Sequence, residues 1–212
     1  MGRPTEHEVL AAVLQIREGT LQVLLWKRAL PPDAGRWALP GGRLGDEEDV
    51  ERSVRRQLAE KVDLREVAHV EQIAVFSDPD RVPGPRRVAT AFLGLVPSSA
   101  DPAVPDDTAW QPVAALPPTA FDHAGIVKAA RNRLRAKLSY TNLGFALAPQ
   151  EFTISALREL YAAALGHPSP RPTCSASSPA GGCWSRPAPS RRPARPAGAR
   201  PRSSASPTAS CG

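Results

Sequence analysis

No cysteine occurs before position 174, and the three in the chain, Cys174, Cys183 and Cys211, all lie beyond His167. A disulfide framework or a thiolate zinc site in the body is thereby excluded. No apolar run near the N-terminus is long enough for a signal peptide or a membrane span. "MGRPTE" also misses the myristoylation pattern, because its Thr comes one place early. These absences predict a soluble chain in a reducing, cytoplasmic setting with no membrane partner. Lys and both acids are missing from residues 167–212, which carry seven Arg. Setting those aside leaves 20 basic residues against 21 acidic ones in residues 1–166, so the net charge of +6 belongs to the C-terminal segment. It does not describe a basic face on the folded part. That segment also lacks Leu, Ile, Val, Met, Phe and Tyr, and consists mainly of ten Pro, ten Ser, eight Ala and the seven Arg. So little apolar surface cannot offset the entropy of ordering, which predicts disorder over residues 167–212.

The body is patterned quite differently. "HEVLAAVLQI" and "TLQVLLWKR" flank Glu18-Gly19-Thr20, a hairpin signal, and their mostly apolar character predicts strands covered on both faces. "RWALPGG" reads as a short strand entering a glycine turn. From Asp46 to about Lys61, Val50, Val54 and Leu58 recur every four positions, predicting a helix with one buried stripe and acids at its N-terminal end. "AHVEQIAVFSD", "RRVATAFLGLVP" and "TAWQPVAAL" read as further strands. "DHAGIVKAARNRLRAKL" reads as a helix capped by Asp122, with Ile126, Ala130, Leu134 and Leu138 on one face. A last helix is expected between a cap at Thr153 or Ser155 and a stop at Gly166. Interleaved strands and helices give an α/β (α+β) fold.

One stretch carries chemistry. Gly42, Glu48 and Arg56 are separated by five and seven residues, and the chain continues Arg56-Gln57-Leu58-Ala59-Glu60-Lys61-Val62-Asp63-Leu64. This resembles the Nudix box, G-x5-E-x7-R-E-U-x-E-E-x-G-U, and the preceding "GRWALPGG" is also typical of that family. Gly42, Glu48, Arg56, Leu58, Glu60 and Leu64 match; Gln57, Lys61 and Asp63 stand where the pattern has Glu, Glu and Gly. The resemblance implies an α/β/α sandwich with a mixed sheet. It also implies a loop–helix–loop whose carboxylates hold divalent metal against a diphosphate. Mg²⁺ demands hard anionic oxygens, which both fix the ion and let it activate water. Positions 57, 60 and 61 lie within one helical turn, so their side chains are expected to converge. Two of those three are not anionic, leaving Glu60 as the residual catalytic and metal-ligand candidate. Hydrolysis is therefore expected to be badly impaired, with no cofactor required and Mg²⁺ relevant only to residual activity.

The ligand-contact candidates are Gly41, Gly42, Arg43, Arg56, Gln57, Glu60, Lys61, Arg81 and Arg86, with Lys61 replacing part of the metal's charge. The competing reading of Gln57 and Lys61 is drift on a solvated helical face. Glu48 and Arg56 are expected to form a structural pair, and Arg56 and Glu60 an i,i+4 pair. Arg81, Arg86 and Arg87 flank a turn and are read either as phosphate or ribose contacts or as solvated loop charge. The four histidines show no metal-ligand spacing, and Trp37 and Trp110 read as core residues rather than adenine platforms.

"VEQIAVFSDPDRVPGPRRVATAFLGLVP", "FDHAGIVKAARNRLRAKLSYTNLGFALAP" and "EFTISALRELYAAALG" resemble the Nudix-related bacterial transcriptional regulators of NAD metabolism. That resemblance implies a Nudix domain over residues 1–138 and the start of a winged helix-turn-helix over 139–166. It further implies a homodimer that binds ADP-ribose or a related nucleotide and releases operator DNA. Residues 167–212 depart from it, since so many prolines exclude a recognition helix. Their composition is what GC-rich DNA yields when read out of frame, which suggests a frameshift near His167. Three functions are thus in play: a ligand sensor, a Nudix pyrophosphohydrolase of ADP-ribose or another nucleoside diphosphate derivative, and an interaction module with an empty site.

Overall fold

A computed structural model describes residues 5–166. The disorder and frameshift expectations for residues 167–212 lie outside the described residues. Strands β1 (Glu6–Arg17) and β2 (Thr20–Lys27) form the expected hairpin, paired from Leu14↔Val23 to Arg17↔Thr20. Glu18 and Gly19 both take positive φ, 50° and 71°, the conformation a two-residue turn needs to match strand twist. Then follow β3 (Trp37–Ala38), β4 (Gly41–Arg43), helix α1 (Val50–Val62), β5 (His69–Phe76), β6 (Arg87–Leu95), β7 (Thr108–Pro112), α2 (His123–Leu138) and α3 (Ile154–Leu165). A 3-10 turn spans Asn142–Ala146 between the last two helices.

The seven strands form one mixed sheet in the order β3-β2-β1-β6-β5, with β4 added on β1 and β7 on β2. β1 runs parallel to β6 along its length, while its other edge is divided between β4 and β2. Its alternate residues feed two separate cores. Val9, Ala11 and Val13 meet Val54, Leu58 and Val62 of α1, whereas Leu10, Ala12, Leu14 and Ile16 meet Ile126, Ala130 and Leu134 of α2. An α/β/α sandwich results, and the near-continuous apolar run of β1 is explained by cover on both faces.

Two local expectations need correction. Helix α1 begins at Val50, because the Asp49 side chain accepts from the Arg52 amide (2.8 Å) and caps it, so Asp46, Glu47 and Glu48 precede it. Asp122 occupies the N-cap place of α2 but makes no side-chain cap, since both its oxygens are engaged by Arg81. Thr153 caps α3 as expected (3.1 Å to the Ala156 amide), and Gly166 ends it at φ 74°. Trp37 and Trp110 each pack against a core cluster.

Residues after Leu138 join the sheet directly: Leu147, Ala148, Leu160, Ala163 and Ala164 belong to the same core cluster as α2 and β1. A chain ending at Leu138 would expose the sheet surface these residues cover. Leu147 and Leu160 are both buried, and losing a buried leucine side chain costs on the order of 2–5 kcal/mol. Residues 1–138 are therefore expected to melt well below residues 1–166 in a calorimetric comparison; equal melting temperatures would show an independent domain boundary at 138.

Candidate functional site

The box turn is built from the backbone outward. Gly41 and Gly42 sit on β4, opposite Leu10 and Val9 of β1. A Cβ at Gly41 would fall 2.2 Å from the Val9 carbonyl oxygen, so no side chain fits there. A Cβ at Gly42 would meet the Gln57 amide at 2.6 to 2.8 Å, so that amide lies directly over the glycine. The loop beyond is tied back by Glu48, whose Oε1 accepts from the Gly45 amide (2.8 Å) and whose two oxygens take Arg56 Nε (2.9 Å) and Nη2 (2.5 Å). This bidentate geometry is the strong form of a carboxylate–guanidinium contact. The Arg56 guanidinium and then the Gly45 amide hold the Glu48 carboxyl down at about 2, and Glu48 in turn raises Arg56 further above its ordinary value. The expected structural pair is present.

Of the three box positions expected to converge, Gln57 and Glu60 both meet the Arg56 guanidinium, whereas Lys61 stands apart. Gln57 is buried, its amide 3.3 Å from the Arg43 carbonyl oxygen and 3.2 Å from the Arg56 guanidinium nitrogens. Glu60 turns back to Arg56 Nη1 (3.0 Å). Lys61 is exposed in the last turn of α1, where a cation complements the carbonyl end of the helix, and it makes no ion pair among the described residues. Asp63, standing in the glycine's place, adopts φ 48° as the helix C-cap, a conformation Asp tolerates better than most residues. Among the described residues no group of three His, Cys, Asp or Glu is placed to hold a metal ion. A buried amide, a cation and one carboxylate already bonded to arginine do not fit the oxygen-rich site that Mg²⁺ requires.

The arginines divide into two kinds. Arg43 and Arg86 are exposed; Arg43 lies 3.6 Å from Glu6, and Arg86 donates to the Ser77 carbonyl (3.2 Å). Arg87 pairs with the same Glu6 at 2.9 Å. Arg81 is neither solvated loop charge nor an extended arm. Its side chain is 1% exposed, with Nε and Nη2 bonded to Asp122 (2.9 and 2.8 Å) and Nη1 bonded to Glu8. Burial works against its charge, but the bonds to Asp122 and Glu8 hold its pKa above the ordinary value. Because Glu8 is the cross-strand partner of Arg43, this buried triad stands beside the glycine turn.

His123 was not among the residues legible as functional, since its role depends on a contact 84 positions away in sequence. Its Nδ1 accepts the Leu39 amide proton (2.9 Å), just ahead of the glycine turn, and Phe121 meets the ring edge-on. Burial pushes its pKa down to about 4. A neutral ring is needed for Nδ1 to accept, so the folded state resists protonation. The unfolded chain takes up that proton near 6.5 and the folded one only near 4, so stability falls as pH drops through this window. The loss approaches about 3 kcal/mol at the acid end. His123→Asn, whose Oδ1 can accept the same bond, is expected to flatten urea-denaturation stability between those two pH values; an unchanged slope would contradict this.

Residues 6–130 match the NUDIX domain family. The ADPR responsive transcriptional repressor NtrR of Acinetobacter baylyi is 31% identical over 163 residues, which are 74% of this chain and 65% of that protein. The chain thus spans just under two thirds of that relative's length. The crystal structure of Shewanella oneidensis NrtR complexed with a 27mer DNA is 29% identical with a TM-score of 0.64, covering 77% of this chain and 78% of that one. The cocrystal structure of the NUDIX domain of the same protein complexed with ADP ribose is 30% identical with a TM-score of 0.56, covering 63% and 90%. In fold, in the Gly42–Glu48–Arg56 framework and in sequence, this chain belongs to the NUDIX domain family.

Proposed function

We propose that the protein is a Nudix-fold ligand sensor, an ADP-ribose-responsive transcriptional regulator of NAD metabolism with little hydrolytic activity. The observation that carries this reading is the fate of the box carboxylates. Only Glu60 survives of the usual trio, and Arg56 holds it, while the glycine turn and the Glu48–Arg56 clamp stay intact. Such a turn can receive a diphosphate on Gly41, Gly42, Arg43 and Arg86, with the Lys61 ammonium supplying positive charge that a metal supplies elsewhere. Arg56, Gln57 and Arg81 then act by holding this surface in shape. The similarity to proteins described as an ADPR responsive repressor and as complexed with ADP ribose or DNA supports the same ligand and an operator partner. Residues 139–166 are read as the first part of a winged helix-turn-helix, and the working form as a cytoplasmic homodimer. Among the described residues no helix is long and apolar enough to cross a membrane.

The alternative is a pyrophosphohydrolase of ADP-ribose or another nucleoside diphosphate derivative, working through Glu60 and Mg²⁺. Two measurements separate them. In calorimetry with chelator present, the full chain is expected to bind ADP-ribose, and Lys61→Glu to bind it roughly tenfold more weakly, about 1.4 kcal/mol. In Mg²⁺ or Mn²⁺, AMP release is expected to stay near background. Brisk AMP release would establish the enzyme instead, and unaltered binding by the Lys61 variant would remove the cation from the ligand's grip.

A further inference from the structure

Asp78, Asp80, Arg81, Phe121 and Asp122 line an open cavity of about 400 Å³, beside the triad that joins Arg81 to Glu8. This is large enough for a small heterocycle. Phe121 stands out within it. Its backbone has φ 51°, a genuine outlier for a bulky side chain, and its amide is held by Asp33 Oδ2 at 3.1 Å. Arg28 lies over its ring (4.8 Å from the centroid) and His123 meets the ring edge-on (5.7 Å), so the plane of the half-buried ring is fixed. Apolar packing alone explains little of this, since the ring belongs to neither hydrophobic core cluster. Strain that persists in such a place is characteristic of positions kept for a ligand.

Charge decides which part of a ligand would enter. Glu8 and Asp122 are both bonded to Arg81, while Asp78 and Asp80 remain exposed on the rim. That rim repels phosphate and suits groups that donate hydrogen bonds, such as an exocyclic amine or ribose hydroxyls. Arg43, exposed and 3.6 Å from Glu6, is the partner of Glu8 in the β1–β4 register. We infer that Phe121 is the base-stacking residue of the site, seating an amino-bearing nucleobase against its ring while the diphosphate lies toward Arg43 and the glycine turn. This rests on the proposed nucleotide ligand and adds which end of it is read, and by what.

The test compares ADP-ribose with ribose 5-phosphate, which lacks the base, by calorimetry on the full chain. Phe121→Asn removes the ring while tolerating positive φ, and Phe121→Tyr keeps the ring. The Asn variant is expected to lose ADP-ribose affinity by about tenfold or more, as stacking contacts do when the aromatic is removed. It should keep the wild-type melting temperature and the wild-type affinity for ribose 5-phosphate, and the Tyr variant should match wild type for both ligands. Should the Asn variant not fold, Phe121→Leu gives the same comparison with apolar volume retained. Undiminished ADP-ribose binding without the ring, or equal losses for both ligands, overturns the inference and leaves the sensor reading standing. If the wild-type chain binds neither ligand, the sensor reading falls and this inference with it.

Discussion

The guanidinium of Arg56 is the point on which the site's chemistry depends. It bonds Glu48 on the loop before α1, Glu60 one turn further along the helix, and lies against the Gln57 amide. In a helix, positions 56 and 60 face each other, so this pairing needs nothing but helical geometry. The consequence is that the one carboxylate left at the end of the box is oriented toward a fixed cation of the protein rather than toward an incoming one. A second glutamate at 57 would share the arginine and leave Glu60 less committed. An amide there adds no negative charge, so Arg56 keeps both neighbours. The same guanidinium thus serves the loop clamp and occupies the remaining glutamate of the box.

A second constraint is the way β1 carries charge at one end and core along the rest. Glu6 and Glu8 precede the apolar stretch that begins at Val9, so both acids emerge where β4, β6 and the loops gather. Glu6 collects Arg43 and Arg87, while Glu8 with Asp122 neutralises Arg81. A charge as buried as Arg81 survives only with such partners, and removing either acid would leave it uncompensated. The same triad links the β5–β6 loop, the first strand and the start of α2. Packing on both faces of the sheet thus ends in a rim where strand ends, the β5–β6 loop and the start of α2 are joined by ion pairs.

Much of this was legible in the sequence because it depends on local periodicity and spacing. The β1–β2 hairpin followed from two apolar runs around Glu18-Gly19, the α2 stripe from Ile126, Ala130, Leu134 and Leu138, and the loop clamp from the resemblance to the Nudix box rather than from the Glu48–Arg56 spacing alone. What was not legible depends on pairs far apart in the chain. Asp122 looks like a helix cap because its local context is that of a cap; only the folded chain brings Arg81 within 2.8 Å of it. His123 looks inert because Leu39 is remote in sequence. Gln57 and Lys61 looked like two members of one cluster, yet the step of four residues carries one under Gly42 and the other into solvent at the helix end. Spacing defines which helical face a residue is on, but not whether the neighbouring loop closes over it.

For a sensor, loss of turnover is a functional requirement as much as a loss. A ligand shifts an equilibrium between two states only by its differential affinity for them, and only while it remains bound. An enzyme that cleaves its ligand would clear the site at a rate unrelated to ligand concentration. In the proposed sensor, fixed protein cations in place of a metal would remove that leak and would also uncouple occupancy from the supply of divalent ions. A lysine at position 61 carries no cost to the fold, because a cation at the carbonyl end of α1 stabilises the helix even when the site is empty. A lysine at position 61 is thus compatible with the helix that carries it, and the Nudix framework stands around the altered box.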